Sequence, residues 1–191
     1  MTPTGGLHAR VADYDRFSIV AFAPPDVRET VDALRRTLPP SGRPIMQAHV
    51  TLKGTFVEPR NLDEIAATIA RACAEAEPFR LTTTGIRVFT REGGGVGLAI
   101  QEVDPFFALH RRLAEDLRPL CRTIYEAELT NTFHPHLTVV QQLPARALDG
   151  ARTTVEAAHL HFDFLATEAS LVARRHGQVW ETLRTFPIGG S

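Results

Sequence analysis

Apolar residues along the chain recur with two periods, and their alternation lays out short strands between amphipathic helices. Residues 16–23, RFSIVAFA, form an apolar run that predicts a strand, closed by Pro24-Pro25. Val27, Val31, Leu34 and Leu38 then recur at helical spacing. Asp26, with Glu29 three residues on, reads as the capping box of that helix. Pro39-Pro40-Ser41-Gly42 ends it, and a strand is expected over about 47–56. Asn61 and Glu64 form a second capping box, opening a helix to about residue 76 with Leu62, Ile65, Ile69 and Cys73 on one side. Residues 79–90 and 96–102 read as strands joined by the glycine-rich turn REGGG.

Asp104-Pro105 opens a third helix, with Phe106, Leu109, Leu113, Leu117 and Leu120 in one stripe. A strand over about 135–143 follows, then a weaker helical stretch over 145–158 interrupted by Gly150. Two closing strands, about 160–174 and 178–186, turn at His176-Gly177. Interleaved strands and helices with several hairpins predict an α+β protein, mainly antiparallel sheet with helices on the outside. The two halves are loosely alike, each placing a helix before and after its central strand.

Length and composition narrow the class. The 191 residues suit one domain or two closely joined lobes; residues 1–15 read as a flexible N-terminal tail and 16–191 as a single domain. With 43% apolar and 23% charged residues the composition is that of a soluble globular protein. The net charge of −1 gives no global field for long nucleic acid, so any attraction for phosphate must be local. Cys73 and Cys121 lack C-x-x-C spacing and read as free thiols. No run reaches the ~18 apolar residues of a membrane span, and the N-terminus lacks a signal-peptide core. No membrane association, a cytoplasmic location and a monomer are therefore expected.

Two of the expected strands carry the same short pattern: His49-Val-Thr51 and, 87 residues on, His136-Leu-Thr138. Residues i and i+2 of a strand share one face, so each segment presents an imidazole beside a hydroxyl while Val50, Leu52, Leu137 and Val139 face the core. Chance supplies about 0.15 His-apolar-Thr-apolar motifs in a chain of this composition, and two in roughly one chain in a hundred. Two such strands side by side give a cleft equipped for acid–base chemistry on a phosphate. One histidine serves as general base and the other as general acid, with their ordinary pKa near 6.5 placing both limbs of activity near neutrality. Thr51 and Thr138 are positioned to bind the non-bridging oxygens. Lys53, at i+2 from Thr51, is expected on the same face as a charge-compensating cation.

On these residues the chain resembles the 2H phosphoesterase superfamily, close to the bacterial 2′-5′ RNA ligase and RNA cyclic phosphodiesterase proteins. The HVTL and HLTV segments carry the resemblance, supported by the tail LVARRHGQVWETLRTFPI. It implies a bilobal fold with two mainly antiparallel sheets lining a central cleft. It also implies catalysis by His49 and His136, no metal and no cofactor, and a small cyclic nucleotide or RNA end as substrate. Lys53-Gly54 departs from the apolar continuation common in the family.

Other features compete. GGGVG leads into a strand and not a helix, which argues against a phosphate loop. Tyr125 and Phe133 are candidates for base stacking, with core packing the better reading, and Arg174-Arg175 suit a surface hairpin. His134-Pro-His136 and His159-Leu-His161 are H-x-H pairs that, with His49, suggest a zinc-dependent hydrolase as the rival reading. A non-catalytic module binding nucleotides or RNA ends is the second alternative.

Overall fold

The computed structural model describes residues 11–41, 46–90, 93–125, 127, 132–176 and 178–190. Nine strands and four longer helices follow one another as β1 (Arg16–Phe22), α1 (Pro25–Arg35), β2 (His49–Val57), α2 (Leu62–Ala74), β3 (Phe79–Phe89), β4 (Gly95–Ile100), α3 (Asp104–Leu117), β5 (Arg122–Thr123), β6 (His136–Gln141), α4 (Ala145–Ala157), β7 (Asp163–Ala166), β8 (Glu168–Arg174) and β9 (Trp180–Pro187). All pairings are antiparallel, in the order β7-β3-β4-β6-β2-β1-β8-β9, with the short β5 added on β2. The expected α+β class with antiparallel sheet stands. Its two half-sheets, β7-β3-β4-β6 and β2-β1-β8-β9, run into each other through one bridging pair, Val50↔Leu137.

Burial fixes the register. Val50, Leu52, Leu137 and Val139 are fully buried, each contributing about 1.5–3 kcal/mol relative to exposure. A slip of one residue would turn all four into the cleft, so the pattern pins His49, Thr51, His136 and Thr138 to the opposite face. Helices α2 and α3 pack against each other, α2 also on β9, and α4 on β3 and β4. Helices α1 and α3 cross over: α1 packs on β6 and α3 on β2, so each covers the motif strand of the other half.

Several local expectations shift. Helix α1 begins at Pro25 with Pro24 at its N-cap and no side-chain cap. Proline at the first helical position needs no hydrogen-bond partner there, which leaves Asp26 in the first turn and not at the cap. Asn61 does cap α2, its Oδ1 accepting from the backbone N–H groups of Asp63 and Glu64. Gly150 does not interrupt α4; a Cβ there would meet nothing within 4 Å, so the position is an exposed one that helix geometry tolerates. The expected strand over 160–174 is two: β7 pairs with β3 and β8 with β1, so the chain changes half-sheet at Thr167. Of the expected tail, residues 11–13 form a 3-10 turn and Tyr14 is buried, while residues 1–10 lie outside the described residues. Within the REGGG turn, Arg91 and Glu92 also lie outside them; Gly93 and Gly94 have φ of 91° and 74°, left-handed values that favour glycine. No helix among the described residues is long and apolar enough to cross a membrane.

Candidate active site

The two His-x-Thr segments lie on adjacent antiparallel strands. Continuing the register from Val50↔Leu137 sets Thr51 opposite His136 and His49 opposite Thr138. The four side chains therefore form a rectangle about a local two-fold axis, with the imidazoles on one diagonal and the hydroxyls on the other. All four residues line one cleft of about 670 Å³.

Immediately after each threonine the strand bulges. On β2 the pairing with β1 jumps from Val20↔Thr51 to Ile19↔Lys53, leaving Leu52 over. On β6 the pairing with β4 jumps from Gly97↔Thr138 to Val96↔Val140, leaving Val139 over. An extra residue disrupts the ladder and frees backbone groups that must find other partners. Here side chains from the crossed-over helices supply them. His110 of α3 donates through Nδ1 to the Leu52 carbonyl at 2.8 Å. Arg35 of α1 donates through Nε to the Val139 carbonyl at 2.9 Å and through Nη2 to the Thr138 carbonyl at 2.8 Å. Arg35 also reaches the Met46 carbonyl, just before β2, at 3.2 Å. The seam between the half-sheets, poor in backbone pairing, is thus held by an arginine and a histidine.

The rings are oriented by equivalent contacts. His49 Nδ1 lies 2.7 Å from the Gln47 carbonyl, and His136 Nδ1 lies 2.9 Å from the His134 carbonyl. A carbonyl only accepts, so Nδ1 carries the proton in both and Nε2 is left for the cleft. Burial pushes the His49 pKa down to about 4, with the neighbouring His136 and Arg35 lowering it further against the support of the Gln47 carbonyl. His136 is also lowered, by burial first and then by the charges of Arg87 and His134. The free site at neutral pH therefore holds two neutral imidazoles, a correction to the unperturbed values expected from sequence.

In the β3-β4-β6 half the cleft has a glycine floor. Gly97 lies between Thr138 and Arg87 in the cross-strand row, and Gly95 between Gln141 and Phe89. The Phe89 ring folds over this floor to within 4.6 Å of the His136 ring. A Cβ at Gly97 would come to 2.7 Å from the Leu137 carbonyl oxygen and 3.2 Å from the Phe89 ring. Gly97→Ala is expected to destabilise the fold by about 1–3 kcal/mol, and to tilt Phe89 away from His136. Thermal unfolding checks this; an unchanged Tm would show that the floor has slack. The glycine run set aside as a phosphate loop thus shapes the cleft through strand residues.

Lys53 is not brought to the cleft. The bulge at Leu52 reverses the alternation, so Gly54 takes the cleft position while Lys53 turns inward and is fully buried. Its Nζ donates to Thr123 Oγ1 at 2.9 Å and lies 5.8 Å from the Phe56 ring centre. After the matching bulge on β6, Gln141 takes the cleft position. Tyr125 does line the cleft, its ring lying on Gly54, where a Cβ would be 2.2 Å from it. Phe133 is core, stacked on His110 at 4.2 Å. Arg174 pairs with Asp15, and Arg175 with Glu181 and the Tyr14 hydroxyl; neither lines the cleft. His134 does line it, with Nδ1 2.9 Å from Glu102 Oε1. Among the described residues no three His, Cys, Asp or Glu side chains converge as a metal site, and the H-x-H pairs do not combine into one. Ser18, Arg87, Phe89 and Gln141 also line the cleft and were not singled out from the sequence.

The sequence profile of the 2′-5′ RNA ligase superfamily matches residues 23–178. A Geobacillus thermodenitrificans protein, named as a candidate phosphoesterase, is 23% identical over 176 residues, which cover 92% of this chain and 97% of that protein. Among solved structures, E. coli LigT complexed with ATP superposes with a TM-score of 0.64 at 20% identity, over 93% of this chain and 99% of LigT. The Thermus thermophilus protein TT0787 gives 0.64 at 21% identity, over 92% of this chain and 98% of that one. These two share the fold.

Proposed function

Because the chain belongs to the 2′-5′ RNA ligase superfamily, we propose that it is a metal-independent phosphoesterase that hydrolyses a cyclic phosphodiester, such as a ribose 2′,3′-cyclic phosphate, by two-histidine acid–base catalysis. The observation that carries this reading is the diagonal of two imidazoles, each with Nδ1 committed to a carbonyl and Nε2 left for one cleft. An in-line displacement at phosphorus needs a base beside the entering oxygen and an acid beside the leaving one, on opposite sides. The diagonal supplies that arrangement.

His49, with the pKa pushed down to about 4, is the better proton acceptor to find neutral and takes the role of base. Its Nε2 removes a proton from water as the water oxygen bonds to phosphorus. The bond from phosphorus to one ribose oxygen breaks, and protonated His136 delivers its Nε2 proton to that oxygen. One proton is gained by His49 and one lost by His136, and exchange with solvent resets the pair. Thr51 and Thr138, on the other diagonal, donate to the non-bridging oxygens as their charge grows. No cofactor enters this scheme. LigT, which shares the fold, was crystallised with ATP, NADP+ and 3′-AMP, which supports a nucleotide-sized ligand for this cleft.

The test is turnover of a 2′,3′-cyclic nucleotide by purified protein in excess EDTA. Undiminished formation of a nucleoside monophosphate is expected. Activity abolished by chelation and restored by zinc would replace the reading with a zinc hydrolase. Tight binding of the nucleotide without turnover would replace it with a binding module.

A further inference from the structure

Hydrolysis of a cyclic phosphodiester takes a singly charged substrate through a doubly charged transition state, and a site without a metal needs a cation for the added charge. With Lys53 buried away from the cleft, the described lining residues offer two other permanent cations, Arg16 and Arg87, and no carboxylate. The two differ in their surroundings. Arg16 lies 3.8 Å from Asp15, with 40% of its side-chain surface exposed. Arg87 is half-buried, and no hydrogen bond or ion pair among the described residues engages its side chain.

Its place in the sheet directs it to the reacting centre. Thr138, Gly97 and Arg87 are successive cross-strand partners on β6, β4 and β3, sharing the cleft face. Strands are about 4.8 Å apart, so the Arg87 Cα stands roughly 10 Å from that of Thr138. Gly97 adds no side chain of its own between them, though the Phe89 ring lies over it, and an arginine extended past the edge of that ring spans most of the gap. The charge of Arg87 is already felt at His136. A half-buried guanidinium whose fork of donors has no acid partner among the described residues is suited to two oxygens of one phosphate.

We propose that Arg87 is the anion-binding residue of this site, pairing with the non-bridging phosphate oxygens beside Thr138 and taking up the second negative charge as phosphorus becomes five-coordinate. The inference rests on the phosphoesterase reading and gives it the cation that the sequence had assigned to Lys53. Because the charge it meets is greatest in the transition state and in a dianionic monoester, Arg87 acts on kcat more than on KM and holds monoester product more tightly than diester substrate.

The experiment measures binding of inorganic phosphate at pH 7 by wild-type protein, Arg87→Met and Arg87→Lys, alongside the titration of His136 by NMR. Arg87→Met is expected to weaken phosphate at least about tenfold and to raise the His136 pKa, since a neighbouring positive charge is gone. Arg87→Lys, which keeps the charge but not the fork, is expected to fall between the two and to leave His136 near its wild-type value. It also covers the case in which the methionine variant fails to fold. In turnover, where the wild type is active, Arg87→Met should lower kcat by about 10²–10³ with little change in KM. Wild-type affinity for phosphate in both variants, with His136 unmoved, would overturn the role of Arg87 and leave the phosphoesterase reading intact. Wild-type protein that neither binds phosphate nor turns over a cyclic phosphate would overturn both.

Discussion

Alanine at either His49 or His136 is expected to lower kcat by at least about 10², because a positioned general acid or base contributes about 10²–10⁴. The loss should appear in kcat and kcat/KM together, since each ring acts on a proton that moves only in the transition state. Neither ring is a keystone of the core: both are half-buried on the cleft face, and among the described residues each ring's one hydrogen bond is to a carbonyl two residues back. Folding should therefore survive, as thermal unfolding of the variants would verify. The double variant should lose far less than the product of the single losses, because in the proposed mechanism the two rings serve one transition state from opposite ends of the phosphate. Near-normal turnover by either single variant would remove that residue from the mechanism.

The site was legible where it obeyed strand periodicity and illegible where it broke it. His49, Thr51, His136 and Thr138 stood out because residues two apart on a strand share a face, and the fully buried Val50, Leu52, Leu137 and Val139 confirm that alternation. Lys53 was read with the same rule and fell on the wrong side of a bulge. A bulge depends on how a neighbouring strand pairs, which the chain does not display locally; Gly54, next to Lys53, was its one local sign. Arg87 and Phe89 were missed for a related reason. They reach the site through a row across three strands with glycine in the middle, and cross-strand neighbours become visible only once register is known.

The helix stripes on α2 and α3 were plain because packing against a sheet demands them, and Leu62, Ile65, Ile69, Cys73, Phe106, Leu109, Leu113 and Leu117 are all buried. What the stripes did not reveal is the exchange of α1 and α3 between halves. Neither Arg35 nor His110 was singled out from the sequence, yet these two side chains close the carbonyls that the paired bulges leave open. The likeness of the halves, first seen only in helix–strand–helix order, extends to matched bulges at Leu52 and Val139 and matched caps from opposite helices.

The pH dependence should follow the free and the occupied site differently. The dependence of kcat/KM reports the free enzyme, whose productive form in the proposed mechanism has one imidazole neutral and one protonated. With His49 pushed down to about 4 and His136 also below its ordinary value, that form is most abundant on the acid side of neutrality. The expected profile is a bell with its acidic limb near 4 and its basic limb below 6.5, falling about tenfold per pH unit above the basic limb. The limbs belong to the pair and carry no individual assignment. Bound substrate brings a negative charge between the rings, which favours their protonated forms, so the bell in kcat should lie at higher pH than the bell in kcat/KM. Roles are separated by leaving group. A substrate whose leaving oxygen departs without a proton should restore much of the activity of His136→Ala and little of His49→Ala, because only the acid becomes dispensable. Equal rescue of both variants would refute the division of roles, and kcat/KM limbs centred at or above 6.5 would show that burial does not hold the free site neutral. A profile flat from about pH 4 to 9 would exclude paired acid–base catalysis by these histidines altogether.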